Sequence, residues 1–446
     1  MAMSKETGIV WKEVREEAAD ILSRYVRIVT VNPPGDEERA ARFLQEILKG
    51  EGIGSAVFFG AKRRANLLAR LRGTDPKGLI LLSHIDTVGA DAHNWDFDPF
   101  GGERKKGYVL GRGTLDDKGM GVMQLMALFL IKRSGIRLKR DLVFLATADE
   151  ETGGELGAGY MARAHADKLG AAFLLNEGGT FMRGILPGGR TVCMAAVGEK
   201  GPLWMELSRK GTSGHGSVPV ADNAILKLSA AALRLVKKRR PIRFTDETVK
   251  FFAGLGAGTG GIKGTILKGV RVPFLRPIIG RLLVTTPALG AMLTDTLGPT
   301  TTRAGIKDNV IPDEAAMTID ARLLPGTDKG EFTEWMRRRL GDDRISIREI
   351  FYSPPSVSPS DGEFFRAIEA TAADLLPGCV TIPMISTGFT DSRFFRDLGI
   401  VSYGLLAAPL TSEDIQSIHG KNERISEEGL LFGARYIYHL ILRLCT

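Results

Sequence analysis

One stretch constrains the fold of this chain more than any other: an apolar run of strand length that ends in consecutive acids. Residues 142–148 read Leu-Val-Phe-Leu-Ala-Thr-Ala and are followed by Asp149-Glu150-Glu151 and a pair of glycines. A continuous apolar run favours a strand buried on both faces, as in a parallel sheet covered by helices. Three carboxylates in a row repel one another unless positive charge lies near them. The stretch therefore indicates either a metal site or a solvated acidic turn.

Size and composition describe an ordinary globular chain. With 446 residues, 43% of them hydrophobic and 25% charged, two domains are expected. No run of 18 uncharged apolar residues exists, so no transmembrane segment is predicted. The charged N-terminal segment 1–17 does not resemble a signal peptide. The three cysteines, Cys193, Cys379 and Cys445, are widely spaced, which argues against a thiolate metal site and predicts a reducing, cytoplasmic location.

The net charge of +8 raises the question of nucleic-acid binding. Most of the lysines and arginines are scattered, and the one dense cluster, 237–240, follows a predicted helix, where cations favour the helix dipole. No nucleic-acid motif accompanies the charge, so no nucleic-acid partner is expected. A positive field that attracts carboxylate-bearing substrates is the simpler interpretation.

The order of predicted elements indicates an α/β protein with a mostly parallel sheet and a second, inserted domain. Strands and helices alternate over 1–198, and the alternation resumes over 356–446. Between them, 199–355 predicts a small α+β lid or dimerisation domain that carries an apolar insertion at 241–302. Helices are predicted at 12–26, 37–50, 120–133, 157–165, 223–236, 329–339, 361–375 and 426–442, and strands at 65–71, 79–83, 142–148, 172–176, 203–209, 314–323, 345–351, 381–385 and 402–405.

Histidines and carboxylates follow several of these strands or open a helix, which is where open α/β sheets place their sites. Each one alone is more often a core or surface residue than a ligand. Two imidazoles with several carboxylates suit zinc, cobalt or manganese better than calcium or copper. The candidates are His84, Asp86, Asp116, Glu150, Glu151, Glu177 and His419.

Five motifs in fixed order resemble one known family. They are H-x-D-T-V at 84–88, G-x-x-D-x-K-G at 113–119, E-E-x-G-G at 150–154, N-E-G-G at 176–179 and H-G-K-N-E at 419–423. The chain is similar over nearly its whole length to the zinc-dependent hydrolases that include acetylornithine deacetylase, succinyl-diaminopimelate desuccinylase, aminoacylase and the carboxypeptidases G and S.

This resemblance implies two divalent metal ions, zinc first and cobalt or manganese as alternatives. It implies that Asp116 bridges them, that His84 and Glu177 complete one site, and that Glu151 and His419 complete the other. Asp86 would orient His84, and Glu150 would be the general base and acid.

The resemblance also extends to the predicted lid. The segment 210–219 resembles the family segment whose histidine, here His215, stabilises the oxyanion, and in dimeric members this histidine reaches the partner's site. Gly216 is a mild departure from the family pattern. Asn309 and Arg322 resemble substrate-carboxylate binders, although Arg322 could instead pair with an acid of its own chain. Gly388 opens a loop that resembles one beside the metals.

The insertion 241–302 resembles the carboxypeptidase S branch of the family. It is either extra packing, a wall of an acyl pocket or a membrane-surface patch. The expected function is hydrolysis of an amide or peptide bond next to an amino acid with a free α-carboxylate, on a dipeptide or an N-acyl amino acid, with a possible homodimer through the inserted domain. A hydrophobic N-acyl preference is the alternative, and an inactive metal-binding scaffold is a distant one.

Overall fold

The structure is a computed structural model that describes residues 8–238 and 240–446. Residues 1–7 of the charged N-terminal segment and Arg239 of the basic cluster lie outside the described residues.

The first part of the chain alternates strands and helices, as predicted. Its elements are α1 (Trp11–Val26), α2 (Glu38–Gly50), β1 (Ser55–Ala61), β2 (Arg64–Leu71), β3 (Asp75–His84), β4 (Arg104–Lys105), β5 (Tyr108–Leu110), α3 (Lys118–Arg133), β6 (Arg140–Thr147), α4 (Ala158–Ala164), α5 (Ala166–Leu169), β7 (Ala171–Met182) and β8 (Val192–Glu199).

The middle and last parts follow. The middle part contains β9 (Gly201–Lys210), β10 (Gly214–His215), α6 (Ala224–Lys237), α7 (Asp246–Thr259), α8 (Gly261–Lys268), α9 (Arg276–Leu283), α10 (Pro287–Leu293), β11 (Thr296–Ala304), β12 (Val310–Ile311), β13 (Glu314–Leu323), α11 (Lys329–Leu340) and β14 (Ile345–Tyr352). The last part contains β15 (Ser356–Val357), α12 (Glu363–Leu375), β16 (Val380–Ser386), α13 (Ser392–Asp397), β17 (Val401–Leu410), α14 (Ser412–Ser417), β18 (Arg424–Ser426) and α15 (Glu427–Cys445).

The large sheet has the strand order β1-β2-β6-β3-β7-β17-β8-β15, with β16 paired to β8. Its central strands β6, β3, β7 and β17 are parallel, which confirms the predicted α/β fold. Strand β6 is buried on both faces: Leu142 and Phe144 join one apolar cluster, while Val143 and Leu145 join another. The alternation of strand side chains places helices on both sides of the sheet.

A second, antiparallel sheet has the order β11-β13-β9-β14. Helices α6 and α11 cover it, with Leu228 and Phe332 packing against Leu207 and Ile319. We call this unit, 201–352 without the helices α7 to α10, the lid. The predicted division into 1–198, 199–355 and 356–446 stays a prediction.

The insertion packs mainly on the large sheet. Phe251 and Phe252 of α7 share an apolar cluster with Val192 of β8 and Ile382 of β16. Its last residues form β11, an edge strand of the lid sheet that pairs with β13. The insertion therefore connects the two sheets.

Several strands extend beyond their predicted bounds, and one of these extensions bears on the site. The sequence predicts a strand at 172–176, but β7 continues through Glu177 and two glycines to Met182. Gly179 makes this possible, because a Cβ there would lie 2.1 Å from the carbonyl oxygen of Met194 on the neighbouring strand β8. Glu177 therefore projects from inside a strand rather than from a loop. No helix within the described residues is long and apolar enough to span a membrane.

Candidate active site with two metal-binding groups

The fold brings the predicted ligands to the carboxyl edge of the parallel strands. His84 is the last residue of β3, and Glu150 and Glu151 form a short 3₁₀ turn just after β6. Asp116 lies in the loop that precedes α3, and His419 lies between α14 and β18. Residues from five distant parts of the sequence thus meet at one edge, as expected for an open α/β sheet.

The first group consists of His84, Asp116 and Glu177. The Nε2 atom of His84 lies 2.8 Å from Oδ1 of Asp116 and 3.8 Å from Oε1 of Glu177. One nitrogen and two carboxylate oxygens converge from three elements, so they could hold one metal ion.

The second group consists of Asp116, Glu151 and His419. The Nε2 atom of His419 lies 2.9 Å from Oδ2 of Asp116 and 3.2 Å from Oε2 of Glu151. The other oxygen of Glu151 accepts the backbone N–H of Val88 at 3.1 Å, which fixes the carboxylate. His419 has a left-handed backbone with φ of 56°. This conformation is uncommon outside glycine and is maintained only where the surroundings enforce it.

Asp116 is the side chain that both groups share. It offers Oδ1 to the first group and Oδ2 to the second, which is the geometry of a carboxylate that bridges two ions. Within each group the candidate ligand atoms lie within 4.8 Å of one another. Imidazole nitrogen and carboxylate oxygen suit zinc, cobalt or manganese. The residues present therefore fit a pair of divalent metal ions.

Glu150 belongs to neither group. Its backbone N–H donates to Oδ1 of Asp86 at 3.2 Å, and that of Glu151 donates to Oδ2 at 3.2 Å. The carboxylate of Asp86 therefore fixes the turn that separates the two glutamates. The carboxylate of Asp86 lies 3.6 Å from Nδ1 of His84, whereas its backbone carbonyl oxygen lies at 2.9 Å. Asp86 thus contacts His84 mainly through its backbone, and its carboxylate serves the glutamates.

A buried polar network behind this turn was missed by the sequence analysis. Asn32 donates to Oδ2 of Asp86 at 2.8 Å, and Arg64 pairs with Oδ1 of Asp149 at 2.8 Å and with Glu37 at 2.8 Å. Asn32 lies in an Asn-Pro-Pro-Gly stretch that the sequence identifies only as a break between helices. Its role depends on partners more than fifty positions away.

Glu423 is a further residue to which the sequence alone assigned no role, although it ends the H-G-K-N-E motif. Its carboxylate is fully buried and pairs with Arg112 at 2.6 Å. It also accepts the backbone N–H groups of Gly113 at 3.1 Å, Leu115 at 2.7 Å and Asp116 at 3.2 Å. Glu423 therefore holds the loop that presents the shared carboxylate.

The electrostatics show an excess of negative charge. Burial, followed by the charge of Glu177, raises the pKa of Glu150 well above its ordinary value. Burial and the charge of Asp116 do the same for the pKa of Glu177. Hydrogen bonds to Asp116 and Glu151 raise the pKa of His419 to about 10. These crowded carboxylates resist ionisation because they are buried and their negative charges repel one another. A divalent cation between them would stabilise their ionised forms.

The predicted substrate residues lie in two places. Arg322 donates Nε and Nη2 to Asp320 at 2.8 and 3.0 Å, the intrachain ion pair left open by the sequence. Its guanidinium also lies 5.1 Å from the ring centroid of Phe389, in the loop that Gly388 opens. Gly388 is exposed, and its N–H donates to Ser386 at 3.2 Å. The lid and this loop therefore meet at Arg322.

His215 and Asn309 are neighbours within the lid. Strand β10 pairs His215 with Val310, and Gly216 donates to the carbonyl oxygen of Asn309 at 2.8 Å. His215 is exposed, and its side chain bonds Ser217 at 2.7 Å. It belongs to neither group of candidate metal ligands in its own chain.

An apolar cavity of about 350 Å³ opens beside the first group. Asp116 and Glu177 form its polar end. Methionines and aliphatic side chains form most of the remaining wall, which suits an apolar ligand. These are Leu115, Met182, Met194, Met384, Leu406, Ile415 and Ile418.

Known proteins resemble this chain over most of its length. The sequence profile of peptidase family M20/M25/M40 matches residues 80–443. The chain is 30% identical to the N-fatty-acyl-amino acid synthase/hydrolase PM20D1 of Xenopus tropicalis, over 98% of this chain and 87% of that protein. It is also 30% identical to the probable carboxypeptidase S-like 2 of Dictyostelium discoideum, over 84% of this chain and 74% of that protein.

A solved structure shares the fold. The M20 family metallo-carboxypeptidase Sso-CP2 from Sulfolobus solfataricus superposes with a TM-score of 0.73, covering 96% of this chain and 99% of that chain at 19% identity.

Proposed function

Because the chain belongs to peptidase family M20/M25/M40, we propose that it hydrolyses the amide bond that precedes an amino acid with a free α-carboxylate, with two divalent metal ions. The observation that carries the proposal is the shared carboxylate of Asp116, with one oxygen in each group of candidate ligands. Zinc is the first choice of metal, and cobalt and manganese are the alternatives, because the donor atoms are imidazole nitrogen and carboxylate oxygen.

The proposed ligands are those of the two groups: His84, Asp116 and Glu177 for one ion, and Asp116, Glu151 and His419 for the other. When bound, such ions polarise the scissile carbonyl and acidify a water molecule.

Residues of the chain itself would transfer the protons and position the glutamates. Glu150 lies outside both groups, so its carboxylate is free to take a proton from the attacking water and return it to the leaving nitrogen. Asp86 positions Glu150 and Glu151 through their backbone N–H groups. Because the two glutamates are adjacent but fixed in a 3₁₀ turn, one can bind metal while the other moves protons.

We propose that Arg322 binds the substrate carboxylate and that Asn309 and Gly388 make further contacts with it. Arg322 uses Nε and Nη2 for Asp320, and among the described residues its Nη1 has no hydrogen-bond partner. A guanidinium held by one carboxylate and backed by Phe389 is well placed to bind a second carboxylate.

The apolar cavity favours an N-acyl amino acid with a hydrophobic acyl group over a charged short-chain substrate. Its volume of about 350 Å³ falls within the range of small-molecule sites. It opens beside Glu177 of the first group, where an acyl group would lie next to the scissile carbonyl. A dipeptide with an apolar first residue satisfies the same geometry and is the second candidate.

His215 supports a homodimer through the lid. It is exposed and belongs to neither group of candidate ligands in its own chain, so we assign it to the site of a partner, where it would stabilise the oxyanion. Apolar Leu226 and Leu233 are exposed on α6 of the lid, and β11 is an edge strand with unpaired backbone groups.

A substrate panel tests the proposal. The metal-free enzyme is supplied with zinc, cobalt or manganese and assayed on a long-chain N-acyl amino acid, an apolar dipeptide and N-acetylornithine. We expect turnover of the first two, and Glu150→Gln should abolish it while two metal equivalents remain bound. The matched control Glu155→Gln, at an exposed glutamate, should keep full activity. Metal binding by the wild type with no turnover of any substrate would favour a scaffold, and preference for N-acetylornithine would refute the apolar acyl site.

A further inference from the structure

The insertion exposes an unusual set of apolar side chains. Helix α8 carries two of them four positions apart, and α9 carries another two four positions apart, so each pair lies on one face of its helix. All are between 36% and 82% exposed, unlike the buried Ile279 and Leu283 of α9. We call this set the insertion patch: Ile262, Ile266, Val272, Phe274, Ile278 and Leu282.

The segment that carries the insertion patch has charges of one sign. Residues 248–294 contain no acid and six cations. Among the described residues, four of these cations are exposed and form no ion pair: Lys263, Lys268, Arg271 and Arg281. Elsewhere among the described residues most arginines pair with acids, whereas Arg271 and Arg281 of the insertion do not.

We propose that the insertion patch docks the enzyme on an anionic lipid surface. Apolar side chains inserted at the level of the headgroups, with lysines and arginines around them, are the features that bind a helix to a membrane interface. A second copy of this chain fits less well, because it would place the same cations against one another without an acid to balance them. No spanning helix is needed for this mode of binding.

The insertion links the proposed docking surface to the apolar cavity. The buried side of the insertion packs with Met194 and Met384, which also line the apolar cavity beside the candidate metal groups. The insertion that carries the patch is thus also part of the packing around the cavity, where the acyl chain of an amphiphile would bind. This last step rests on the proposed function, whereas the docking itself does not.

Vesicle co-sedimentation of the full-length protein tests the docking without any activity assay. We expect binding to phosphatidylcholine vesicles that contain about 30% phosphatidylserine, little binding to phosphatidylcholine alone, and loss of binding as salt rises. Phe274→Ser with Ile278→Ser should weaken binding at least tenfold. The control pair Phe59→Ser with Leu398→Ser, at exposed positions outside the insertion, should bind as the wild type does.

The charge is tested in the same assay. Lys263→Gln with Lys268→Gln should weaken binding by about fivefold per cation. Arg337→Gln with Arg338→Gln, which makes the same change in net charge on the lid, should have little effect. Failure of the wild type to bind anionic vesicles at low salt would overturn the proposal, as would equal binding by the insertion and control variants. Concentration-dependent self-association that the Phe274→Ser pair abolishes would instead identify a second copy as the occupant.

Discussion

Replacing Glu423 with glutamine should damage both the stability of the protein and its affinity for metal. The side chains of Glu423 and Arg112 are 0% and 2% exposed, and Glu423 accepts one side-chain and three backbone hydrogen bonds. Glutamine keeps the shape but loses the charge and one acceptor oxygen, so Arg112 stays buried without its counter-ion. Breaking a buried pair in this way costs about 3–5 kcal/mol. Because the same carboxylate anchors the backbone at Asp116, metal affinity should also fall by about 10–100-fold.

Two measurements check this prediction. Urea unfolding of the metal-free protein gives the change in the free energy of unfolding, and competition with a chromophoric chelator gives the metal affinity. The control is Glu155→Gln, which breaks an ion pair with Arg163 whose side chains are 54% and 58% exposed. An exposed pair of this kind contributes about 0–1 kcal/mol. If Glu423→Gln is no more harmful than Glu155→Gln in either measurement, the carboxylate does not hold the loop and the reasoning is wrong.

Three further predictions concern the site and its support. Hydrogen bonds to two carboxylates raise the pKa of His419 to about 10, so metal binding at pH 8 should displace its proton. The affinity for metal should therefore rise with pH up to about 10. Calorimetry in two buffers of different ionisation enthalpy should show that at least one proton is released on binding. Gly404→Ala would place a Cβ 2.0 Å from the carbonyl oxygen of Glu177 and should lower stability by about 1–3 kcal/mol in thermal unfolding, whereas Gly298→Ala, where nothing lies within 4 Å, should change it little. Arg322→Ala should raise KM for a carboxylate-bearing substrate by roughly 10–100-fold with a small change in kcat, and an unchanged KM in steady-state kinetics would remove Arg322 from substrate binding.

Much of the large sheet could be predicted because its strands are short apolar runs bounded by polar turns. Residues 142–148 illustrate this, since a run of that composition is stable only where both faces are covered. The end of β7 could not be predicted in the same way. Two glycines after Glu177 read as a turn, yet the strand continues because the adjacent strands leave room for a residue without a side chain.

The candidate ligands were identifiable because they follow strands or open a helix, and parallel strands end at one edge. The supporting residues were not. The sequence around each of these residues is equally compatible with a purely structural role, and their partners are far away in the sequence. They are Asn32, Arg64 and Glu423. Side-chain orientation and burial, which decide such pairs, are not encoded in local periodicity.

The sequence by itself determined the α/β architecture and the chemical types that gather at the sheet edge, because hydrophobic periodicity and the succession of strands and helices can be read along the chain. Only the tertiary structure decided that each oxygen of Asp116 faces a different histidine, that Asp86 supports the two glutamates, and that the insertion packs on the large sheet. These arrangements depend on distances between elements that are remote along the chain, and such distances are fixed only when the two apolar faces of the sheet are packed.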